Sequence, residues 1–247
     1  MQRALSYEDF LNEQELITGR EFILYSIGRD EEESIQMMQK YIDQGGDINF
    51  KNSIGETAFD RACSNTITSK DPNKNLKIIK FLLENGVDVN TRMKGSSEYN
   101  NATRLMYFII NNNKNAIELF MNHPDVDVNI KNYYGQTALM LACNYGTIEL
   151  VDELLEKGAD INDQDKDGNT VLYYTQNSLL IPLLERGADE TIKNNRGKTI
   201  LEVLLSDDDR RYSDFDYQRK ILSDTKLYRL KNKLNIDQNM HNKMNIF

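Results

Sequence analysis

Two short motifs recur in a fixed order along this chain of 247 residues. The first motif ends on Asp, a hydrophobic residue and Asn, or on a close variant, and its copies are residues 44–49, 85–90, 125–129, 157–162 and 186–191. The second motif starts with Gly, any residue and Thr, and its copies are residues 55–59, 135–139, 168–172 and 197–201, with residues 102–105 as a degenerate copy. Successive copies of the first motif end 41, 39, 33 and 29 residues apart. This spacing predicts a repeat protein with a unit of about 33 residues, in which each unit packs on its neighbours.

Each unit has the sequence of a helix pair. Within residues 130–162, Thr137 can cap the first helix, and Ala142 and Cys143 are small enough for close helix approach. Gly158 can end the second helix in a left-handed conformation. The apolar stripe of the second helix is formed by Leu150, Val151, Leu154 and Leu155.

The two motifs resemble those of the ankyrin repeat family, and residues 130–162 match its full 33-residue pattern. The resemblance extends over residues 20–222. Where the family has Thr-Pro-Leu-His, this chain reads Thr137-Ala138-Leu139-Met140, and no copy keeps the Pro or the His. The resemblance implies an all-α fold, an ankyrin-repeat solenoid of helix pairs with β-hairpin-like fingers and about six units, including degenerate end caps.

We predict three parts in the chain. Residues 1–19 form an N-terminal capping helix, residues 20–222 form the repeats, and residues 223–247 form a basic C-terminal helix and a disordered tail. The predicted repeat units are residues 20–49, 50–90, 91–129, 130–162, 163–191 and 192–222.

Three of these units depart from the regular length. The polar insertion at residues 64–75 predicts a lengthened surface loop in the second unit, and residues 94–99 lengthen the finger of the third. The fifth unit lacks about one helical turn, so Pro182 must lie near the start of a shortened helix.

The composition argues against an enzyme. Two Cys cannot build a disulfide framework or a zinc cluster, and two His argue against metal binding or His-dependent catalysis. No segment outside the repeats exceeds the roughly 40 residues below which a domain rarely folds unaided. We therefore predict no catalytic residues, no metal site, no cofactor and no small-molecule substrate. Residues 163–168 resemble a calcium-binding loop, but Tyr174 replaces the bidentate Glu, so an ordinary turn is favoured. Cys63 and Cys143 are predicted to pack as small hydrophobic residues.

The sequence also bears on location. No run of about 18 apolar residues occurs, and the N-terminus leads into charged sequence, which predicts no transmembrane segment and no Sec-type signal peptide. We expect a cytoplasmic protein. The abundance of Asn, Lys and Ile is typical of AT-rich genomes, and a protein delivered into a host cell is the alternative by that association.

Charge is distributed unevenly along the chain. Residues 1–209 carry a formal charge of −14, whereas residues 210–247 carry +5. One alternative function is therefore that the basic tail contacts nucleic acid or an anionic membrane while the repeats act as a scaffold, although the acidic body disfavours nucleic acid. Another is that the tail folds against its own acidic body.

Exposed tyrosines favour a non-catalytic module that binds a protein. In the family that this chain resembles, the finger tips and first helices line the surface that meets partners, and Tyr is enriched at interfaces. We expect a monomer whose partner has a basic patch, because Glu56, Asp60, Asp165 and Asp167 lie in or near these slots. The predicted partner-binding residues are Ile54, Tyr99, Tyr133, Tyr134, Met140, Asn144, Tyr145, Lys166, Asp167 and Tyr173.

Overall fold

A computed structural model describes residues 27, 30–71, 73–93, 101–175 and 179–204. The predicted capping helix at residues 1–19, the lengthened finger at residues 94–99, and the tail at residues 223–247 lie outside the described residues. Within the described part of the chain, no helix is long and apolar enough to cross a membrane.

The chain divides into two compact units, Met1–Asp127 and Val128–Phe247. The described helices of the first unit are α1 (Glu31–Asp43), α2 (Ala58–Thr68), α3 (Leu76–Glu84), α4 (Arg104–Ile110) and α5 (Lys114–Met121). Those of the second are α6 (Ala138–Tyr145), α7 (Ile148–Glu156), a 3₁₀ helix (Val171–Tyr174), α8 (Leu180–Glu185) and α9 (Ile200–Leu204). Among the described residues, β-structure is limited to one isolated antiparallel bridge between Arg92 and Thr103.

Threonine begins the first helix of several units, as the second motif predicts. The Thr137 hydroxyl accepts a hydrogen bond from the Met140 amide, and Thr103 caps α4 in the same way. Thr57 and Asp60 cap each other's backbone amides in a capping box at the start of α2. These caps satisfy amides that have no partner inside the helix.

The insertion in the second unit differs from its prediction as a loop. Helix α2 continues through its first part and ends at Thr68, leaving only residues 69–75 as the connection to α3. Within the extension, the Ser64 and Thr66 hydroxyl groups have partners inside the helix, because each lies within hydrogen-bond distance of the carbonyl four residues earlier. The longer loop was therefore an incorrect prediction for residues 64–68.

The shortened fifth unit is as predicted. Its first helix is reduced to the four-residue 3₁₀ helix Val171–Tyr174. Pro182 is the third residue of α8, where its missing amide would have no helical partner in any case.

Each unit has its own apolar core. In the first unit, the rings of Phe59 and Phe108 pack on Phe120 with centroid separations of 6.0 and 5.4 Å. In the same unit a buried charge pair joins two helix starts: Arg104 of α4 donates to the Asp60 carboxylate of α2, and the Arg104 side chain is only 3% exposed. The second core contains the fully buried side chains Leu139, Met140, Val151, Leu154 and Val171.

The Asn that ends the first motif links successive repeats. Asn162 donates to the carbonyl of Gly187 at 3.3 Å and accepts from the amide of Asp189 at 2.8 Å. Asn90 and Asn129 make the same pair of bonds to the next copy of the motif. One amide side chain thus satisfies both a donor and an acceptor of the neighbouring loop.

Cys63 and Cys143 are free and buried, which agrees with their predicted packing role. Burial raises the pKa of each thiol to about 12.

We expect neither thiol to react with a soluble disulfide reagent at pH 8 until the protein unfolds, because the thiolate is the nucleophile. A stopped-flow thiol assay with and without denaturant measures this. Since the unfolded chain ionises near pH 9 and the native chain near pH 12, stability contributed by the buried thiols should fall as pH rises between these values. Rapid labelling of the native protein would contradict the burial.

Candidate functional site

Four turns share one construction, and we call them the finger turns: residues 52–55, 132–135, 165–168 and 194–197. Each begins with Asn or Asp, whose side-chain oxygen accepts hydrogen bonds from the amides two and four residues later. In the second turn, Asn132 accepts from Tyr134 and Gln136, each at 2.9 Å. Each turn ends with a Gly at positive φ, which is the backbone conformation that favours glycine.

The two central positions of each finger turn vary in chemistry. They hold Ser53 and Ile54, Tyr133 and Tyr134, Lys166 and Asp167, and Asn195 and Arg196. The large apolar side chains among them are exposed: Ile54 is 80% exposed, Tyr133 61% and Tyr134 49%. A constant backbone that presents variable, exposed side chains is typical of a recognition surface.

In the second compact unit, the finger turns are joined by backbone hydrogen bonds. The Lys166 amide donates to the Tyr134 carbonyl, and the Asn195 amide donates to the Asp167 carbonyl, each at 2.9 Å. Gly135 is required by this close approach, because a Cβ atom there would lie 2.6 Å from the Lys166 nitrogen. The bonds hold the three turns of this unit in a row.

Among the described residues of the second unit, the most exposed aromatic side chain lies in this row. Tyr133 and Tyr134 pack edge to face with a centroid separation of 5.6 Å and an interplanar angle of 79°. The Lys166 ammonium lies 3.9 Å from the centroid of the Tyr133 ring, within range of a cation–π interaction. The two rings are thus held in place while each keeps a large exposed area.

A network of side-chain hydrogen bonds links Gln136, Tyr174 and Asp165 beside the row of finger turns. Gln136 donates to the Tyr174 hydroxyl at 3.1 Å, and that hydroxyl donates to the Asp165 carboxylate at 2.5 Å. Asp165 also accepts from the amides of Asp167 and Asn169, so it acts as the turn residue that the sequence favoured over a calcium ligand. In the described part of the chain, no cluster of three or more His, Cys, Asp or Glu could hold a metal ion.

The carboxylates predicted to attract a basic partner are mostly occupied within the chain. Glu56 pairs with Arg61 at 2.7 Å, Asp60 pairs with Arg104, and Asp165 accepts from Tyr174. Asp167 is the exposed carboxylate among these four residues. Little of the predicted acidic surface therefore remains at these positions.

The structure corrects the prediction for Met140 and Tyr173. Met140 is 0% exposed, because α6 is apolar on every side from Ala138 to Cys143 and is buried all round. Tyr173 is 5% exposed, and its hydroxyl donates to the Lys198 carbonyl at 2.7 Å. Burial also raises the pKa of this Tyr to about 12. Neither side chain is accessible to a partner.

The remaining predicted residues lie in separate places. Lys166 and Asp167 are exposed in the second unit beside Tyr133 and Tyr134, whereas Ile54 belongs to a finger turn of the first unit. Tyr145 is exposed at the end of α6, and its neighbour Asn144 is half-buried. Tyr99 lies outside the described residues.

Apart from Asp165, sequence reasoning missed the residue that opens each finger turn. Asn52, Asn132, Asp165 and Asn194 each precede the glycine of the second motif by three positions, and that recurrence was visible in the sequence. Asn and Asp are favoured at such positions because their side chains can bond to the backbone two residues on.

The chain is similar to ankyrin repeat proteins in both sequence and structure. The family model for ankyrin repeats (3 copies) matches residues 69–165 and 105–194, which together span about half of the chain. Two crystal structures share the fold. One is of the ankyrin repeat protein EF0377, with a TM-score of 0.61 and 24% identity over 81% of this chain and 96% of that one. The other is an ankyrin repeat domain from Acinetobacter baumannii AYE, with a TM-score of 0.59 and 20% identity over 83% of this chain and 98% of that one.

Curated relatives are longer proteins that share only a portion of their length with this chain. Ankyrin repeat domain-containing protein 29 of Danio rerio is 50% identical over 48 residues, which are 19% of this chain and 16% of the relative. A probable E3 ubiquitin-protein ligase, XBOS32 of Oryza sativa subsp. japonica, is 26% identical over 51% of this chain and 25% of the relative. Palmitoyltransferase AKR1 of Lachancea kluyveri is 32% identical over 44% of this chain and 14% of the relative.

Proposed function

This chain belongs to the ankyrin repeat family, whose repeats are generally protein–protein interaction modules, and from this premise we propose that the finger turns of its second unit bind a protein partner. The proposed surface consists of Tyr133, Tyr134, Lys166, Asp167, Asn195 and Arg196. Its activity is binding alone. The ligase and transferase activities are named for two relatives, and the region shared with this chain makes up at most 25% of either protein's length.

The single observation that supports this proposal is the pair of exposed, ordered tyrosines. Tyr133 and Tyr134 contact each other, and the Lys166 ammonium lies over the Tyr133 ring. Because the two rings are already ordered in the free chain, binding a partner on them costs less side-chain conformational entropy than binding on mobile side chains would. Tyr residues at the centre of an interface commonly contribute much of its affinity.

The contacts around the tyrosines define the kind of partner. An apolar or aromatic side chain of the partner would pack on the two rings, and a polar rim would pair with Lys166, Asp167 and Arg196, which are all exposed. This rim has both signs of charge. A basic patch on the partner is therefore not the main attraction at this surface, since most of the predicted carboxylates are already paired within the chain.

The test is replacement of both tyrosines in the full chain. We expect Tyr133→Ala with Tyr134→Ala to weaken partner capture by about thirtyfold or more, since two interface tyrosines are removed. Affinity capture with quantitative mass spectrometry compares the double variant with the wild type. The fold should persist, because both side chains are exposed.

The matched control is Tyr133→Phe with Tyr134→Phe, which keeps both rings and removes only the hydroxyl groups. Proteins captured by the wild type and by the Phe variant, but lost with the Ala variant, are the partners expected at this surface. Undiminished capture by a folded Ala variant would exclude the tyrosines as the binding site.

A further inference from the structure

A cavity of about 320 Å³ lies in the first unit, and none of its lining residues belongs to a finger turn. One wall is the end of α2 and the loop after it, and the other wall is the turn between α4 and α5. The lining residues are Thr66, Ile67, Ser69, Lys70, Asn111, Asn112 and Asn113.

Unequal helix lengths account for the cavity. Helix α2 has 11 residues, whereas α4, the first helix of the next repeat, has 7. The end of α2 therefore extends beyond α4 by about a turn, and the space beside it is left open. The polar insertion that sets the second unit apart in the sequence is the segment that forms this extension.

Hydrogen bonds hold both walls in place. The Thr66 hydroxyl shares its hydrogen between the Ala62 and Lys74 carbonyl oxygens, each at 2.8 Å. Asn115 donates to Asn73, which ties the loop to α5. On the other wall, the amides of Asn112 and Asn113 donate to carbonyl groups of α4, each at 3.0 Å. The cavity is therefore part of the folded unit.

The charge around the cavity is positive. Lys70 is the charged residue of its lining, and no carboxylate lines it. Lys74 and Lys114 flank the lining and are exposed, and neither they nor Lys70 forms an ion pair with a described residue. The nearest acidic residue in sequence, Asp71, accepts from the Asn73 amide at 2.9 Å.

The neutral lining offers hydrogen-bond donors. The exposed side-chain amide of Asn112 has no partner among the described residues, and the Ser69 hydroxyl hydrogen remains available while its oxygen accepts from Asp71. A lysine ammonium with amide and hydroxyl donors is a combination that favours a phosphate group. The volume is larger than a phosphate ion and lies at the low end of the range of small-ligand pockets.

We propose that this cavity binds the phosphate group of a phosphate monoester, with Lys70 as the charged contact and Asn112 as an amide donor. The inference is independent of the proposed binding by the finger turns, because the two sites share no residue.

The test is a titration of the isotope-labelled full chain followed by NMR. Inorganic phosphate, O-phosphoserine and serine are added separately at constant ionic strength. We expect the amide signals of residues 69–70 and 111–113 to shift and saturate with phosphate and with phosphoserine but not with serine. Tighter binding of phosphoserine than of inorganic phosphate would support the esterified ligand, and equal or weaker binding of phosphoserine would overturn the monoester and point to free phosphate. Absence of saturable shifts with both anions would overturn the proposal.

Three variants separate a specific site from general attraction. Lys70→Ala should weaken binding about tenfold, the loss expected for one charge-assisted hydrogen bond. Lys51→Ala removes an exposed lysine of the same unit that does not line the cavity and should leave binding unchanged. Asn112→Gly removes the amide at a position where φ is 50°, so the backbone is preserved, and it should also weaken binding. Equal losses in Lys70→Ala and Lys51→Ala would refute a specific site.

Discussion

Replacing Asp60 by Ala is expected to lower the free energy of unfolding of the first unit by about 3–5 kcal/mol, because it leaves Arg104 as an unpaired buried charge. Asp60 is the carboxylate that pairs with Arg104, whose side chain is 3% exposed. Two further nitrogen atoms of Arg104, Nε and Nη1, are buried without a hydrogen-bond partner, so no other group replaces the lost contact. Hydrogen exchange measured by mass spectrometry during urea unfolding reports the stability of each unit separately.

The double variant Asp60→Ala with Arg104→Met separates the charge from the packing. Since the buried cation is then absent, we expect the double variant to be more stable than Asp60→Ala alone. The Asp60→Asn variant keeps an acceptor for the Thr57 amide and isolates the capping contribution. A loss below about 1 kcal/mol in Asp60→Ala would show that water already compensates the Arg104 charge.

Phe108→Ala is expected to destabilise the same unit by about 3–5 kcal/mol. Phe108 has no exposed surface, and its ring lies 5.4 Å from that of Phe120. Removing it takes a large apolar surface from the core and leaves a cavity between helices that cannot fully close. Chemical denaturation followed by circular dichroism measures the change.

Phe108→Leu is the conservative comparison and should cost less than Phe108→Ala, because most of the volume remains. Ile54→Ala is the exposed comparison in the same unit and should change stability by less than about 0.5 kcal/mol. Similar losses in Ile54→Ala and Phe108→Ala would be inconsistent with the core described above.

Much of the fold could be predicted because the repeat makes each local signal recur. Thr57, Thr103 and Thr137 start helices, and Gly158 follows the end of α7 in the left-handed conformation with φ of 86°. These signals depend on backbone chemistry within a few residues. A single sequence therefore suffices to recognise them.

Burial of individual side chains was harder to predict. Tyr173 was expected to be accessible to a partner but is buried, whereas its neighbour Tyr174 is half-buried. Their helix is a 3₁₀ turn with about 3.0 residues per turn, so the positions of a regular α-helix do not apply to its side chains. Exposure of Tyr133 and Tyr134 was predictable, because both occupy the outer positions of a turn. Their contact with Lys166 was not, since it joins two turns that are separated by a whole repeat.

The Asn or Asp that opens each finger turn has an evolutionary consequence. Since this side chain and the glycine satisfy the conformational needs of the turn, the backbone of the turn does not depend on which two residues lie between them. Dipeptides as unlike as Tyr-Tyr, Lys-Asp and Asn-Arg already occupy these positions. A lineage could therefore change its binding preference by exchanging dipeptides, one turn at a time, without passing through an unstable intermediate.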